Sequence, residues 1–360
     1  MKRAMNRIVT YLLALFIGLV MLEKASAQDP HFSQFYANPL YMSPSLAGAT
    51  DGGRLIMNYR NQWPGINKAF ETYSISFDNF FGGLNSGLGF MLYQDKAGSA
   101  GLTTTQGAFQ YSYNLMINDD WQIIPGIQFT YGNKTIDFSK LEFGDEMAGM
   151  GGSGSWSRLN NEKAEYIDFA ASVFLYSSKY WAGLTVDHLA EPNYSFMNEK
   201  MRMPLKFVFF GGMNIWNERS RQKTSARSFS LSYRLQQQAK DVQLDMGVYW
   251  FNDPIEVGIW YRGIPFITTE NSTGINQDAI VALLSYKYGP LRFGYSYDVS
   301  VSGLGWNSQG AHELSLIFEF NQQINLRLGG KRPALPCSES ANPLSSSSHS
   351  KYKNKKRRVF

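Results

Sequence analysis

From about Gly53 to Phe320, apolar and polar residues alternate with a period of two through a long series of short stretches. Successive side chains of a β-strand point to opposite faces, so each stretch predicts a strand with two unlike sides. Phe229, Leu231, Tyr233 and Leu235 alternate with Ser228, Ser230, Ser232 and Arg234. Val242, Leu244, Met246, Val248 and Trp250 oppose Asp241, Gln243, Asp245 and Gly247. Leu291, Phe293, Tyr295 and Tyr297 oppose Arg292, Gly294, Ser296 and Asp298. About fourteen such segments are legible, most near the ~10 residues that cross a bilayer at a tilt. Their approximate spans are 53–62, 68–78, 85–94, 103–117, 121–133, 164–176, 180–188, 205–216, 226–235, 241–251, 255–262, 278–288, 291–299 and 311–320.

The gaps between segments alternate in length. Asn118-Asp119-Asp120, Ser177-Ser178-Lys179, Asn252-Asp253-Pro254 and Gly289-Pro290 carry the residues of tight turns. Lys134 to Lys163, Leu189 to Pro204, Gly263 to Gln277 and Ser300 to Gly310 make long loops on the alternate gaps. Three gaps fit poorly: Asn217 to Ser225 is long for the tight side, while Trp63 to Asn67 and Gln236 to Lys240 are short for the other. An even strand count with short turns at one end and long loops at the other is the signature of an outer-membrane barrel. A secreted β-sandwich shows the same alternation, but it has no reason to sort its long loops onto one end. The expectation is therefore an all-β fold, a transmembrane outer-membrane β-barrel of about fourteen antiparallel strands, with long loops outside and both termini periplasmic.

Composition refines this picture. Aromatic residues make up 15% of the chain and charged residues 18%, as suits a wet lumen ringed by interfacial aromatic girdles. Lys2, Arg3 and Arg7 precede the apolar run Ile8 to Leu22 and the small residues Ala25-Ser26-Ala27, the pattern of a signal peptide over residues 1–27. That run is short of the ~20 residues of a helical span, so membrane insertion is expected by strands. Taking the +3 of the leader and the +6 of the tail Lys351 to Phe360 from the formal +5 leaves the body at −4. A nucleic-acid-binding domain would carry its positive charge on the folded body. The lone Cys337 excludes an internal disulfide.

Catalytic and cofactor signals are weak. His31, His188, His312 and His349 have no metal-ligand spacing. Gly149, Gly151 and Gly154 match G-x-G-x-x-G without the strand–helix context that a nucleotide site needs. No G-x-S-x-G or H-E-x-x-H occurs. The expectation is a protein with no enzymatic activity, no cofactor and no metal.

Between leader and first strand, residues 28–52 hold three prolines and many rings, too rich in aromatics for a solvated linker. This irregular segment is a plug candidate for the mouth or lumen. The barrel follows over 53–320, then a low-complexity, disordered, basic periplasmic tail over 321–360. Phe32, Phe35, Tyr36, Tyr41, Arg60 and Trp63 are candidate partner contacts, with packing of the plug against the wall as the plainer role. Tyr249, Trp260 and Arg262 are expected to face the lumen.

The run Gln28 to Gly48, Tyr59-Arg60-Asn61-Gln62-Trp63, Tyr180-Trp181-Ala182-Gly183-Leu184, Gly258-Ile259-Trp260-Tyr261-Arg262-Gly263, Gly294-Tyr295-Ser296-Tyr297-Asp298 and His312-Glu313-Leu314-Ser315-Leu316 follow one another in order. In these motifs the chain resembles the PorP/SprF family of outer-membrane proteins of the Bacteroidota type IX secretion and gliding system; the tail after Lys331-Arg332 departs from it. The resemblance implies a non-enzymatic outer-membrane component that anchors or assembles surface or periplasmic partners. Those partners would be the periplasmic ring or peptidoglycan-linked components, or the C-terminal domain of a surface adhesin, alongside membrane lipid and without nucleic acid. A solute porin or uptake channel is the alternative, and it requires an open lumen.

Overall fold

The computed structural model describes residues 29–50, 52–66, 70–98, 101–118, 120–137, 163–196, 200–218, 227–268, 275–301 and 306–320. The leader, the Gly149–Gly154 motif, Cys337, His349 and the basic tail lie outside them. The strands are β1 (Gly53–Gln62), β2 (Phe70–Phe81), β3 (Ser86–Ala97), β4 (Leu102–Tyr113), its two-residue continuation β5 (Leu115–Met116), β6 (Gln122–Thr135), β7 (Lys163–Tyr176) and β8 (Tyr180–Asp187). They continue as β9 (Lys206–Glu218), β10 (Arg227–Gln238), β11 (Asp241–Asn252), β12 (Ile255–Thr268), β13 (Ile275–Tyr288), β14 (Leu291–Ser300) and β15 (Ala311–Phe320). Counting β4 and β5 as one span gives fourteen, each antiparallel to its neighbours.

The ring closes where β1 pairs with β15, Gly53 opposite Phe320 through Gln62 opposite Ala311. Closure matters physically because lipid offers no partner to an unpaired strand edge, so every ladder N–H and C=O must find its mate within the sheet. The seam ends in aromatic packing: Phe320 stacks on Phe77 and on Phe318 at 5.8 and 5.6 Å between ring centres.

The period-two pattern is resolved into lipid and lumen faces. In β2, Tyr73, Ile75 and Phe77 are 42%, 41% and 41% exposed while the intervening Ser74, Ser76 and Asp78 are buried. The outward rings gather in girdles, with Phe81, Tyr113, Tyr180, Trp216, Trp250 and Tyr288 exposed towards the short-turn end. Phe70, Tyr73 and Tyr131 stand towards the other end. His312 also points outward, between strands, and is bonded through Nδ1 to Tyr295 Oη at 2.8 Å.

Boundaries shift by a few residues from the sequence reading, with one larger correction. The loop expected over Gly263 to Gln277 is mostly strand: β12 and β13 extend to Thr268 and from Ile275, which leaves only 269–274 between them. Ile264-Pro265-Phe266-Ile267 is apolar throughout and carries a proline, so no period-two alternation marks it as strand. Gln236 to Lys240 shrinks to a two-residue turn in which Ala239 has φ 52°.

The core lies inside the barrel. Met42, Leu46 and Ala49 of the segment before β1 pack with Phe174, Trp181, Phe210, Tyr249, Trp260 and Val281 of the wall. Leu40 and Ala47 form a second cluster with Met91, Tyr93 and Ala108. Burial of these side chains is the main apolar driving force holding segment to wall, at roughly 25 cal/mol per Å² removed from water.

Candidate functional site: the filled lumen

Residues 29–50 are not featureless. Three short helical turns, Phe35–Ala37, Pro39–Met42 and Pro44–Leu46, carry the chain along the lumen. Pro39 and Pro44 open two of them, where the missing N–H would have had no helical partner. The prolines that argued against regular structure thus start turns instead of preventing them.

The wall is shaped to receive this backbone. A Cβ on Gly87 would sit 2.0 Å from Ala47 O, and one on Gly126 would sit 2.3 Å from Ser45 N. Only glycine permits that approach. Wall side chains then satisfy the segment's peptide groups. Gln110 Nε2 donates to Leu40 O at 2.7 Å, Ser112 Oγ to Ala47 O at 2.7 Å, and Gly48 N donates to Asp78 at 2.9 Å. Asp78 in turn accepts both Arg54 Nε and Nη2, at 3.0 and 2.9 Å.

The strongest attachment is a buried ion network around Ser33 and Gln34. One carboxylate, Glu313, accepts both backbone N–H groups, Ser33 at 2.7 Å and Gln34 at 3.0 Å. Arg60 bridges Glu313 at 3.2 Å and Asp298 at 2.9 Å, and also donates to Ser33 Oγ at 2.7 Å. Arg262 joins Asp298 and Asp245, each at 3.0 Å, and donates to the same hydroxyl at 2.8 Å. Arg234 completes the set on Asp245. Three guanidiniums face three carboxylates, all nearly inaccessible to solvent. Burying six charges is tolerable only because each is paired and hydrogen-bonded.

The segment begins at one mouth and ends at the other. Asp29 bonds His188 Nε2 at 2.8 Å and Lys206 Nζ at 3.0 Å, and its N–H donates to Gln238 at 3.1 Å. These partners sit at the end of β8, the start of β9 and the end of β10, the long-loop end. Gly48 lies against Gly87, Asn79 and Phe80, at the short-turn end where β1 starts. Asp29 and Phe320 therefore stand at opposite ends of the barrel, so the single-sided placement expected for the two termini does not describe these residues. At the mouth, burial alone would lower the His188 pKa, but the Asp29 carboxylate and the hydrogen bond to Asp168 outweigh it and raise it to about 9. Burial likewise opposes the charge of Asp29, yet Lys206 and His188 hold it well below the usual carboxylate range.

Of the expected contact residues, Phe32 is fully buried, edge-on to Tyr41 at 5.0 Å, and Tyr41 is half-buried with its hydroxyl on Pro30 O. Arg60 is the hub of the ion network. Tyr36 is half-buried and, with Gln34, Trp181, Ser230 and Tyr249, lines a cavity of about 70 Å³ towards the short-turn end. Trp63 is half-buried at the long-loop rim, packed on Phe70 at 5.5 Å, with φ 59°. The side chain of Phe35 lies outside the described residues. Tyr249, Trp260 and Arg262 do face the lumen. Asp245, Asp298 and Glu313 were missed as a set. Their signal was a charge in the small, polar face of each of three strands, legible singly but not as one cluster.

A family model described as type IX secretion system membrane protein PorP/SprF matches residues 24–318. The chain belongs to that family. It is thus a membrane component of the type IX secretion system, with an outer-membrane barrel fold. The PorP/SprF match runs from just before the lumen segment almost to the end of β15, so segment and barrel are both family features. No curated protein matches the chain. Among solved structures, the Pseudomonas putida toluene transporter TodX is 7% identical, with TM-score 0.43 over 81% of this chain and 94% of that one. The Acinetobacter baumannii outer membrane protein Omp33 is 8% identical, TM-score 0.39, over 76% and 100%. The KdgM porin is 11% identical, TM-score 0.34, over 74% and 99%.

Proposed function

We propose that this PorP/SprF-family chain is a non-enzymatic anchoring and assembly component, a closed barrel whose lumen is occupied by its own segment. The observation that carries this is the buried ion network joining Ser33 and Gln34 to β1, β12, β14 and β15. An open diffusion pore would keep its lumen free, whereas here a segment is fastened in it through three arginines. Short turns lie in the periplasm and long loops outside, by the general rule for such barrels. The periplasmic ring or peptidoglycan-linked components are the partners on the inner side, and the C-terminal domain of a surface adhesin is the partner on the outer side. Tyr36, which lines the cavity near the short-turn mouth, and Trp63, at the long-loop rim, are the contacts retained among the candidates; Phe32, Tyr41 and Arg60 act by seating the segment.

Two measurements test this. Planar-bilayer recordings of the purified barrel should show no stable large conductance; a persistent open channel would sink anchoring as the sole function and favour uptake. Pull-down from the native envelope should recover type IX components. Tyr36→Ala and Trp63→Ala should each weaken that recovery with the heat-modifiable band intact, and unchanged recovery in both would retire these residues as contacts.

A further inference from the structure

We infer that the chain threads its own barrel from the outer mouth inward, so that the segment's first residues are displayed on the side of the long loops. β1 begins at the short-turn end, beside Phe320 and Asn79. A signal-peptide-led chain is expected to have its N-terminus on the periplasmic side, next to β1. Instead, residues 50 back to 29 climb the full lumen. Ala47 meets Ser112 near the short-turn end, Gln34 meets Ser296 and Glu313 higher up, and Asp29 meets His188, Lys206 and Gln238 at the long-loop mouth.

The path is fixed at both ends and in the middle by independent contacts. Close approach at Gly87 and Gly126 holds the lower end, the arginine–carboxylate network the middle, and the Asp29 ion cluster the top. Reversing it would take the Ser33 and Gln34 N–H groups from Glu313, the Gly48 N–H from Asp78, and Asp29 from His188 and Lys206. Threaded this way, Asp29 and Pro30 become part of the long-loop mouth that a surface partner meets.

Which side of the membrane the mouth faces rests on the orientation proposed above; that Asp29 shares a side with the long loops does not. The test uses the full-length protein with Cys337→Ser. Leu189→Cys reports the long-loop side, where Leu189 is 47% exposed, and Leu84→Cys the short-turn side, where Leu84 is 70% exposed. An epitope inserted between Gln28 and Asp29 reports the segment's start. On intact cells, a membrane-impermeant maleimide should label Leu189→Cys but not Leu84→Cys, and antibody should bind the epitope. If Leu84→Cys labels and Leu189→Cys does not, the orientation is inverted, and the epitope should then need permeabilisation, as Leu189→Cys does. An epitope detected on the side of Leu84→Cys, in either orientation, overturns the threading.

Discussion

Single residues decide how firmly the segment is held. Glu313 is the sharpest case, since its carboxylate closes two backbone N–H groups and one arginine at once. Without it Arg60 keeps Asp298, but two buried N–H groups of the segment lose their acceptor, at about 1–3 kcal/mol each. Glu313→Ala should therefore loosen the segment by that order, read as faster protease cleavage within 29–50 and a lower urea midpoint. Unchanged cleavage would show that the network is not what holds it. The mouth cluster carries a pH dependence. His188 is held above its ordinary value, so its contribution is complete below about 6.5 and fades as pH rises through about 9. Asp29 is held below its ordinary value, so its contribution persists above about 3.9 and is lost as pH falls further. Amide exchange near Asp29 should thus be slowest between about pH 4 and 6.5 after correction for intrinsic rates. Its rise towards pH 9 should vanish in His188→Phe, and a rise that persists there would reject His188 as the alkaline-sensitive group.

At the scale of elements, segment and wall are separate units joined by contact. The strands are paired all round without help from residues 29–50. Deleting 29–50 should leave a heat-modifiable barrel and convert a closed lumen into a conducting one in planar bilayers. Loss of the heat-modifiable band would show that the segment is needed to fold the wall. Gly126→Val is a milder probe. Its side chain would collide with the Pro44–Ser45 backbone, so residues 39–47 should become protease-sensitive while the barrel band persists. No change in that cleavage would mean the wall yields instead.

The whole molecule is set by closure. β15 ends at Phe320, whose ring covers Gly53 and stacks on Phe77 and Phe318. Truncation after Phe320 should therefore still give an inserted, heat-modifiable barrel, whereas Phe320→Ala should slow its assembly. Failure of the truncated chain to insert would move the closing signal into the tail.

Sequence alone determined the strands, their faces and their number, because a lipid face and a lumen face must alternate residue by residue, and that alternation is local. It also announced the segment as unlike a linker, through its aromatic content. It blurred where an extension did not alternate, as in β12 beyond Gly263. Tertiary structure alone decided what the lumen charges are for. Arg60, Arg234, Asp245, Arg262, Asp298 and Glu313 lie on six different strands. Which of them meet depends on strand register and barrel curvature, which no local pattern encodes. The direction of the segment was settled the same way, by Gly87, Ser112, His188 and Glu313, residues far apart along the chain that only a closed ring brings to Ala47, Asp29 and Ser33.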